Sequence, residues 1–343
     1  KSKTKKLEMK CPSCASIQRA IMAFVNASPV ILLLLIFIWS YWAFNFSLCY
    51  NLVSEGHGVQ GSLYILFYHP LFILCMWSYW VVCRTSPGYT LDMYKKRDEE
   101  RDEDVGLLTD TFDNNVEEQD KQTIAVLNIE EDLQHSPLPI TVKRDGARRY
   151  CQKCKLEKFD RTHHCRQCNR CVLKMDHHCP WINNCVGFYN YKSFYLFLVY
   201  ASMYCVFVFG ASLPPTLIQA SGPMSILGLN LNCALLVFIS GIFGLFLVPF
   251  TIFHTRQLCK NRTTIEYYEK ANYRLGNNNN RVDIMRSKYF NPWDLGTRKN
   301  VQQVLGKDLI RRFIPIGKAV GDGSSFPINN YAYDTLGADD MSD

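Results

Sequence analysis

The chain has 343 residues, 48% of them apolar, with 15 cysteines and a formal net charge of +7. That length allows two soluble domains, but Asp, Glu, Lys and Arg desert several long runs, which excludes an ordinary globular chain. The cysteines crowd into one stretch instead of scattering in pairs, which excludes a secreted disulfide frame and points to a reducing, cytosolic setting for that stretch.

Residues 1–28 form an N-terminal segment carrying Lys1, Lys3, Lys5, Lys6, Lys10 and Arg19. Ala20 to Ser54 is free of charge, and Pro29 to Tyr50 is long enough to cross a bilayer, which takes roughly 20 residues as a helix. This run is too long for a cleavable signal peptide and lacks its small-residue cleavage site. After a short loop with Glu55 and His57 comes a second span, Leu63 to Cys83, read as interrupted at His69-Pro70. Ser193 to Thr255 contains no Asp, Glu, Lys or Arg and is too long for one span. Pro214-Pro215 and Ser221-Gly222-Pro223 divide it into about Ser193–Leu213 and Leu231–Phe253.

Basic residues follow the spans on one side only: Arg84, Lys95, Lys96 and Arg97, then Arg256, Lys260 and Arg262. Both short connecting loops lack Lys and Arg. The positive-inside rule then places both termini and residues 84–192 in the cytosol. Runs this long exceed the buried helices of a soluble protein.

Residues 84–142 form an insert between spans two and three, acidic from about Asp92 to Asp132 and poor in aromatics, the composition of a partly disordered, solvated segment. Residues 143–192 follow. Within them, Tyr150 to Phe188 holds two ligand sets of one spacing, C-x2-C-x9-H-x6-C. Cys151, Cys154, His164 and Cys171 make the first. Cys165, Cys168, His178 and Cys185 make the second, each fourteen residues after its counterpart. Cys3His is a closed tetrahedral set for structural zinc, with no open position for water. The expected fold is an α-helical multi-pass membrane protein: four transmembrane helices, at 29–83 and 193–253, with a cytosolic cysteine-rich domain built on two structural zinc sites and short β-hairpins. A cytosolic segment, 254–343, closes the chain.

Cys179, His163 and His177 are left without a metal. In an extended segment, side chains two apart share a face, so His178 can turn to the metal while His177 and Cys179 point together the other way. A Cys-His pair makes a thiolate nucleophile. Asp176 is the natural group to orient the imidazole, provided that the chain curves there. His163 reads as a donor beside the metal ligands or a satisfied surface histidine.

The stretch resembles the cysteine-rich domain of the DHHC protein S-acyltransferases, or palmitoyltransferases, in its CxxC openings, HHCxxC, Asp176-His177-His178-Cys179-Pro180-Trp181 and the run Asn183 to Phe194. The overall pattern looks most like the fungal vacuolar-membrane branch. Thr263-Thr264-Ile265-Glu266 resembles the family's TTxE motif, and Asn300 matches the asparagine of its C-terminal motif. The resemblance implies that Thr263, Thr264 and Glu266 steady the active-site loop; Thr263 and Glu266 also fit a capping box. Asn300 is expected to bond backbone, and Val301, Leu305 and Leu309 to share a helix face. Where many members carry Asp-Pro-Gly after span two, this chain has Ser86-Pro87-Gly88.

The resemblance implies a two-step transfer without ATP or redox cofactor. His177 takes the Cys179 proton, Cys179 takes the acyl group of palmitoyl-CoA, and a cysteine of a membrane-associated protein accepts it. For CoA phosphates the candidates are Arg148, Arg149, Lys158, Arg161, Arg166, Arg170 and Lys174, which can equally meet anionic headgroups or only solubilise the domain. For the acyl cavity the candidates are Trp181, beside the nucleophile, and a Ser40–Tyr204 hydrogen bond roughly 17 Å below the cytosolic face. Cys11 and Cys14 read as free thiols, and Cys49, Cys75, Cys83, Cys205, Cys233 and Cys259 as packing. A zinc adaptor without chemistry has no need of the Asp176-His177-Cys179 set. A transporter is disfavoured by uncharged spans, and nucleic-acid binding by the spans themselves. The compartment expected is the vacuolar membrane, with Golgi and plasma membrane as alternatives.

Overall fold

The computed structural model describes residues 12–99, 140–220, 230–278, 281–317 and 319–329. The basic residues 1–10, Cys11, the acidic insert from residue 100 to 139, Asn279 and Asn280, and the tail from residue 330 lie outside the described residues. Among the described residues, four helices are long and apolar enough to cross a membrane. The chain divides into two compact units.

The first unit comprises residues 1–85, 178–184 and 193–254. Its frame is α1 (Pro12–Trp42) and α2 (Gly58–Arg84), with the greater part of two later helices, α4 (Tyr191–Ala220) and α5 (Leu231–Cys259). A chain in lipid must satisfy its own backbone, which a helix does within one segment. The α1 helix runs on through a widened π-helical stretch, Ala43–Tyr50, into Asn51–Ser54. Two sequence expectations are corrected here. His69-Pro70 does not interrupt span two, because α2 continues through Pro70, and α4 passes Pro214-Pro215 to end at Ala220. A proline removes one hydrogen bond, which a bilayer-length helix absorbs. His69 uses both ring nitrogens: Nδ1 donates to Ile65 O at 2.9 Å and Nε2 accepts from the Tyr41 hydroxyl at 3.1 Å. The interior is rich in rings, with Phe37, Phe44, Tyr68, Tyr79, Phe197 and Tyr204 all buried.

The second unit comprises residues 86–177, 185–192 and 255–343. It opens with α3 (residues 90–99). Three hairpins of very short strands follow: β2 (Tyr150–Cys151) with β3 (Leu156–Glu157), β4 (His163–Cys165) with β5 (Arg170–Val172), and β6 (His177–Cys179) with β7 (Asn184–Val186). A separate antiparallel sheet has the order β1 (Thr141–Val142), β8 (Ala271–Asn278), β9 (Arg281–Ser287). Asn277 and Asn278 are the last residues of β8. Helices α6 (Thr264–Tyr268), α7 (Thr297–Leu305) and α8 (Leu309–Arg312) complete it.

The expected stripe Val301–Leu305–Leu309 is also corrected. Helix α7 ends at Leu305, Gly306 follows with φ 92°, and Leu309 begins a separate turn. Ser86-Pro87-Gly88 makes a tight bend in which the Ser86 hydroxyl accepts the Gly88 amide at 3.2 Å. Gly88 has φ 93°, and a Cβ there would lie 2.8 Å from the Tyr189 ring, so both conformation and space demand glycine.

Candidate active site and metal centres

The repeat of fourteen residues is a repeat of structure. In β2–β3, Cys151 faces Leu156; in β4–β5, Cys165 faces Arg170. Each hairpin turns after its second cysteine through one left-handed residue, Lys155 at φ 55° and Asn169 at φ 52°. In each, the second cysteine's amide points at the first cysteine's sulfur: Cys154 N to Cys151 Sγ and Cys168 N to Cys165 Sγ, both 3.4 Å. Amides aimed at sulfur favour the thiolate that a metal needs.

The ligand atoms of Cys151, Cys154, His164 and Cys171 lie within 4.8 Å of one another, and so do those of Cys165, Cys168, His178 and Cys185. In the first group His164 Nδ1 stands 3.5, 3.2 and 3.9 Å from the sulfurs of Cys151, Cys154 and Cys171. A tetrahedral zinc with ordinary Zn–S and Zn–N bonds requires sulfur–nitrogen edges of roughly 3.5 Å. In the second group the Cys168 and Cys185 sulfurs are 3.4 Å apart. All eight donors suit zinc, and the cysteines among them form no disulfide. Interleaving follows from strand alternation: neighbours His164 and Cys165 on β4 belong to different ligand groups. His163 stays neutral, its imidazole pushed down to about 3 by burial and then by Arg149.

Asp176 is fully buried just before β6. Its amide donates to Val186 O at 2.9 Å, which ties it to β7. Its carboxylate accepts His177 Nδ1 at 2.7 Å, the Thr264 amide at 2.9 Å and the Thr264 hydroxyl at 2.7 Å. With Nδ1 donating to Asp176, the Nε2 of a neutral His177 is left as the acceptor. His177, His178 and Cys179 are consecutive in β6, and Cys179 is extended (φ −111°, ψ 111°).

The two threonines of the TTxE stretch divide the work. Thr263 caps α6, its hydroxyl accepting the Glu266 amide while Glu266 Oε2 accepts the Thr263 amide at 2.9 Å. Thr264 reaches Asp176. Beneath them, Arg161 places Nε and Nη2 on the two Glu266 oxygens at 2.7 and 2.8 Å and bonds Asn261 twice, at Oδ1 (3.1 Å) and O (2.7 Å). Trp293 and Phe326 cover its guanidinium at 4.5 and 5.0 Å. Burial would raise the Glu266 carboxyl, but Arg161 holds it below its ordinary value. Lys174, desolvated and beside Arg161, falls to about 7 and donates to Asn261 Oδ1 at 3.0 Å. Asn300 is fully buried; its amide donates to Cys259 O and Asp294 Oδ1 and its carbonyl accepts from Leu295 N.

The other basic candidates differ in how free they are. Arg149 donates to the carbonyls of Phe159 (2.9 Å) and Thr162 (3.4 Å), and Arg148 pairs with Glu157 at 3.0 Å. Arg170 is exposed, with its guanidinium 4.9 Å over Tyr89; Arg166 is exposed and Lys158 half-buried.

Within the first unit, Cys179 and Trp181 line a cavity of about 530 Å³ that runs between the membrane helices past Phe197 and Leu236 to Ser40 and Tyr204. The Ser40 and Tyr204 hydroxyls are 2.9 Å apart. The Tyr79 hydroxyl donates to Trp181 O at 2.9 Å and fixes the turn after the cysteine. Sequence reasoning missed Tyr68, Tyr79 and Asn261. The first two sit among interchangeable-looking aromatics of α2, and nothing in the local pattern marks the third.

Four candidate spans, two Cys3His groups suited to zinc and a further cysteine in an apolar cavity define a multi-pass membrane protein with a cysteine-rich domain. Residues 144–271 match the family model described as DHHC palmitoyltransferase. The chain is 34% identical over 300 residues to palmitoyltransferase ZDHHC2 of Danio rerio, covering 87% of this chain and 76% of that one. It is 31% identical over 313 residues to palmitoyltransferase ZDHHC20 of Homo sapiens (90% and 78%), and 32% over 312 residues to palmitoyltransferase ZDHHC15 of Rattus norvegicus (88% and 82%). The chain belongs to the DHHC palmitoyltransferase family.

Proposed function

We propose that the chain transfers a fatty acyl group from acyl-CoA to cysteines of membrane-associated proteins through an acyl thioester on Cys179. The observation that carries this reading is the apolar cavity between the helices with Cys179 in its wall. Such a cavity takes a hydrocarbon tail and leaves its thioester beside the sulfur, within the size range of small-molecule sites.

His177, oriented by Asp176, takes the thiol proton. The sulfur attacks the thioester carbonyl, the CoA thiolate leaves, and the proton on His177 neutralises it. The thiol of the acceptor protein repeats the exchange, returning Cys179 to its starting state. One thioester is exchanged for another, so no external energy source enters. The two Cys3His groups would hold zinc, which would supply cross-links between the hairpins. Arg166, Arg170 and Lys158 are the basic candidates most available for CoA phosphates, since Arg149 and Arg161 already serve internal acceptors. The Ser40–Tyr204 pair closes the cavity and limits chain length. Loops without Lys or Arg support a cytosolic placement of the cysteine-rich stretch and of both flanking segments; the vacuolar membrane is the compartment proposed.

Purified protein incubated with labelled palmitoyl-CoA should carry a hydroxylamine-labile adduct that Cys179→Ser lacks. Label retained by that variant would overturn the assignment of the nucleophile.

A further inference from the structure

Two hydroxyls at the end of the cavity would suffice to close it, yet a third is present. Tyr68, on α2, is fully buried, and its hydroxyl lies 3.0 Å from that of Tyr204. The direction of each bond can be worked out from proton supply. The Ser40 hydroxyl donates to Phe37 O at 3.1 Å. Its oxygen is therefore the acceptor in the contact with Tyr204, and the Tyr204 proton is spent there. The Tyr204 oxygen can then only accept from Tyr68. The result is a one-way relay, Tyr68 to Tyr204 to Ser40 to the α1 backbone.

The ring of Tyr68 is held as firmly as its hydroxyl. Phe44 stacks on it with centroids 4.1 Å apart and planes at 6°, and Phe72 is stacked with it at 5.8 Å and 12°. Phe44 belongs to the widened stretch that begins at Ala43, the kind of helix irregularity found at functional sites. Phenylalanine at 68 would keep both stacks. A buried hydroxyl is costly unless bonded, so packing alone does not account for tyrosine here.

We infer that Tyr68, a residue outside the cavity wall, positions the Tyr204 phenol across the cavity's end and thereby sets how long an acyl chain the enzyme accepts. This rests on the reading of the cavity as the acyl site. When the Tyr68 hydroxyl is removed, the Tyr204 oxygen loses its donor and the ring swings more readily, opening room for added methylenes. Tyr68 is thus a positioning residue that acts only through Tyr204.

The test compares acylation of the detergent-purified full chain by myristoyl-, palmitoyl-, stearoyl- and arachidoyl-CoA in the wild type, Tyr68→Phe, Tyr204→Phe and the double variant. The readout is the ratio of stearoyl to palmitoyl rates within one preparation, which cancels any misfolded fraction. Tyr68→Phe should raise this ratio by about threefold, the scale of one neutral hydrogen bond. Tyr204→Phe should raise it at least as much, and the double variant should match Tyr204→Phe. A purely structural role would lower all chain lengths together and leave the ratio unmoved. An unchanged ratio in Tyr68→Phe alongside a shifted one in Tyr204→Phe would overturn the role of Tyr68 while leaving the cavity reading intact. An additive double variant would also overturn it, by showing that Tyr68 acts independently. If neither single variant moves the ratio, the reading of the cavity's end fails and this inference with it.

Discussion

Asp176, in a site with no exposure, accepts hydrogen bonds from His177 and from both the amide and hydroxyl of Thr264. Its charge does two things: it holds His177 in the tautomer whose Nε2 can take a proton, and it anchors α6. Asp176→Asn keeps the shape but presents an NH2 group to donors. Acyl-adduct formation on Cys179 should then fall by at least about a hundredfold, as for a triad whose orienting carboxylate is lost. Thr264→Val removes one hydroxyl donor to a buried charge and keeps the amide donor. A loss of about tenfold is expected, on the scale of one charge-assisted bond. Stopped-time labelling with palmitoyl-CoA measures both; equal rates in Asp176→Asn and wild type would remove Asp176 from the reaction. Asp176 was identifiable in the sequence beside His177. Its second partner was not, because Thr264 lies 88 residues away and only the folded chain brings them together.

At the scale of elements, α6 has five residues, too few to stand alone. It persists through its capping box and through Arg161, which meets Glu266 with two parallel bonds while its own side chain is wholly buried. Removing one partner of such a pair leaves an uncompensated charge, so Glu266→Gln should destabilise the second unit by about 3–5 kcal/mol, seen as a lower midpoint in thermal unfolding. The pH dependence has a definite sign. The folded-state Glu266 carboxyl lies below its ordinary value of 4.5, so its stabilisation is complete above that value and is lost as pH falls through the lower, folded value. Wild type should therefore lose stability in that acid window, and Glu266→Gln should lack this contribution to the slope. A parallel acid profile in the two proteins would refute the linkage. Arg161 shows where sequence reading runs out. Among a run of basic residues it looked like a phosphate ligand, and nothing local distinguishes it from exposed Arg166. Its burial depends on Asn261, Glu266, Trp293 and Phe326, all about a hundred or more residues further along the chain.

For the whole molecule, the four spans and two metal groups were legible because both are written as spacing: twenty-odd uncharged residues for a bilayer, fourteen residues between equivalent ligands. The hairpin strands themselves contribute little. Their strands are two or three residues long, and the buried cluster around the second metal group consists of Cys165, Val172, Met175 and Cys185, two of which are themselves ligands. Strands so short cannot bury enough apolar surface to fold alone, so a metal held by these ligands would take the place of a core. Chelation should accordingly remove two properties together: resistance of the cysteine-rich stretch to limited proteolysis, and labelling of Cys179 by palmitoyl-CoA. Two variants separate structure from chemistry. Cys151→Ser, which breaks the first metal group, should lose both properties, and Cys179→Ser should lose labelling while keeping its resistance and two bound zinc ions by metal analysis. Chelated protein that stays resistant and still acylates would show that the hairpins stand without metal, and the structural role assigned to the eight ligands would then be wrong.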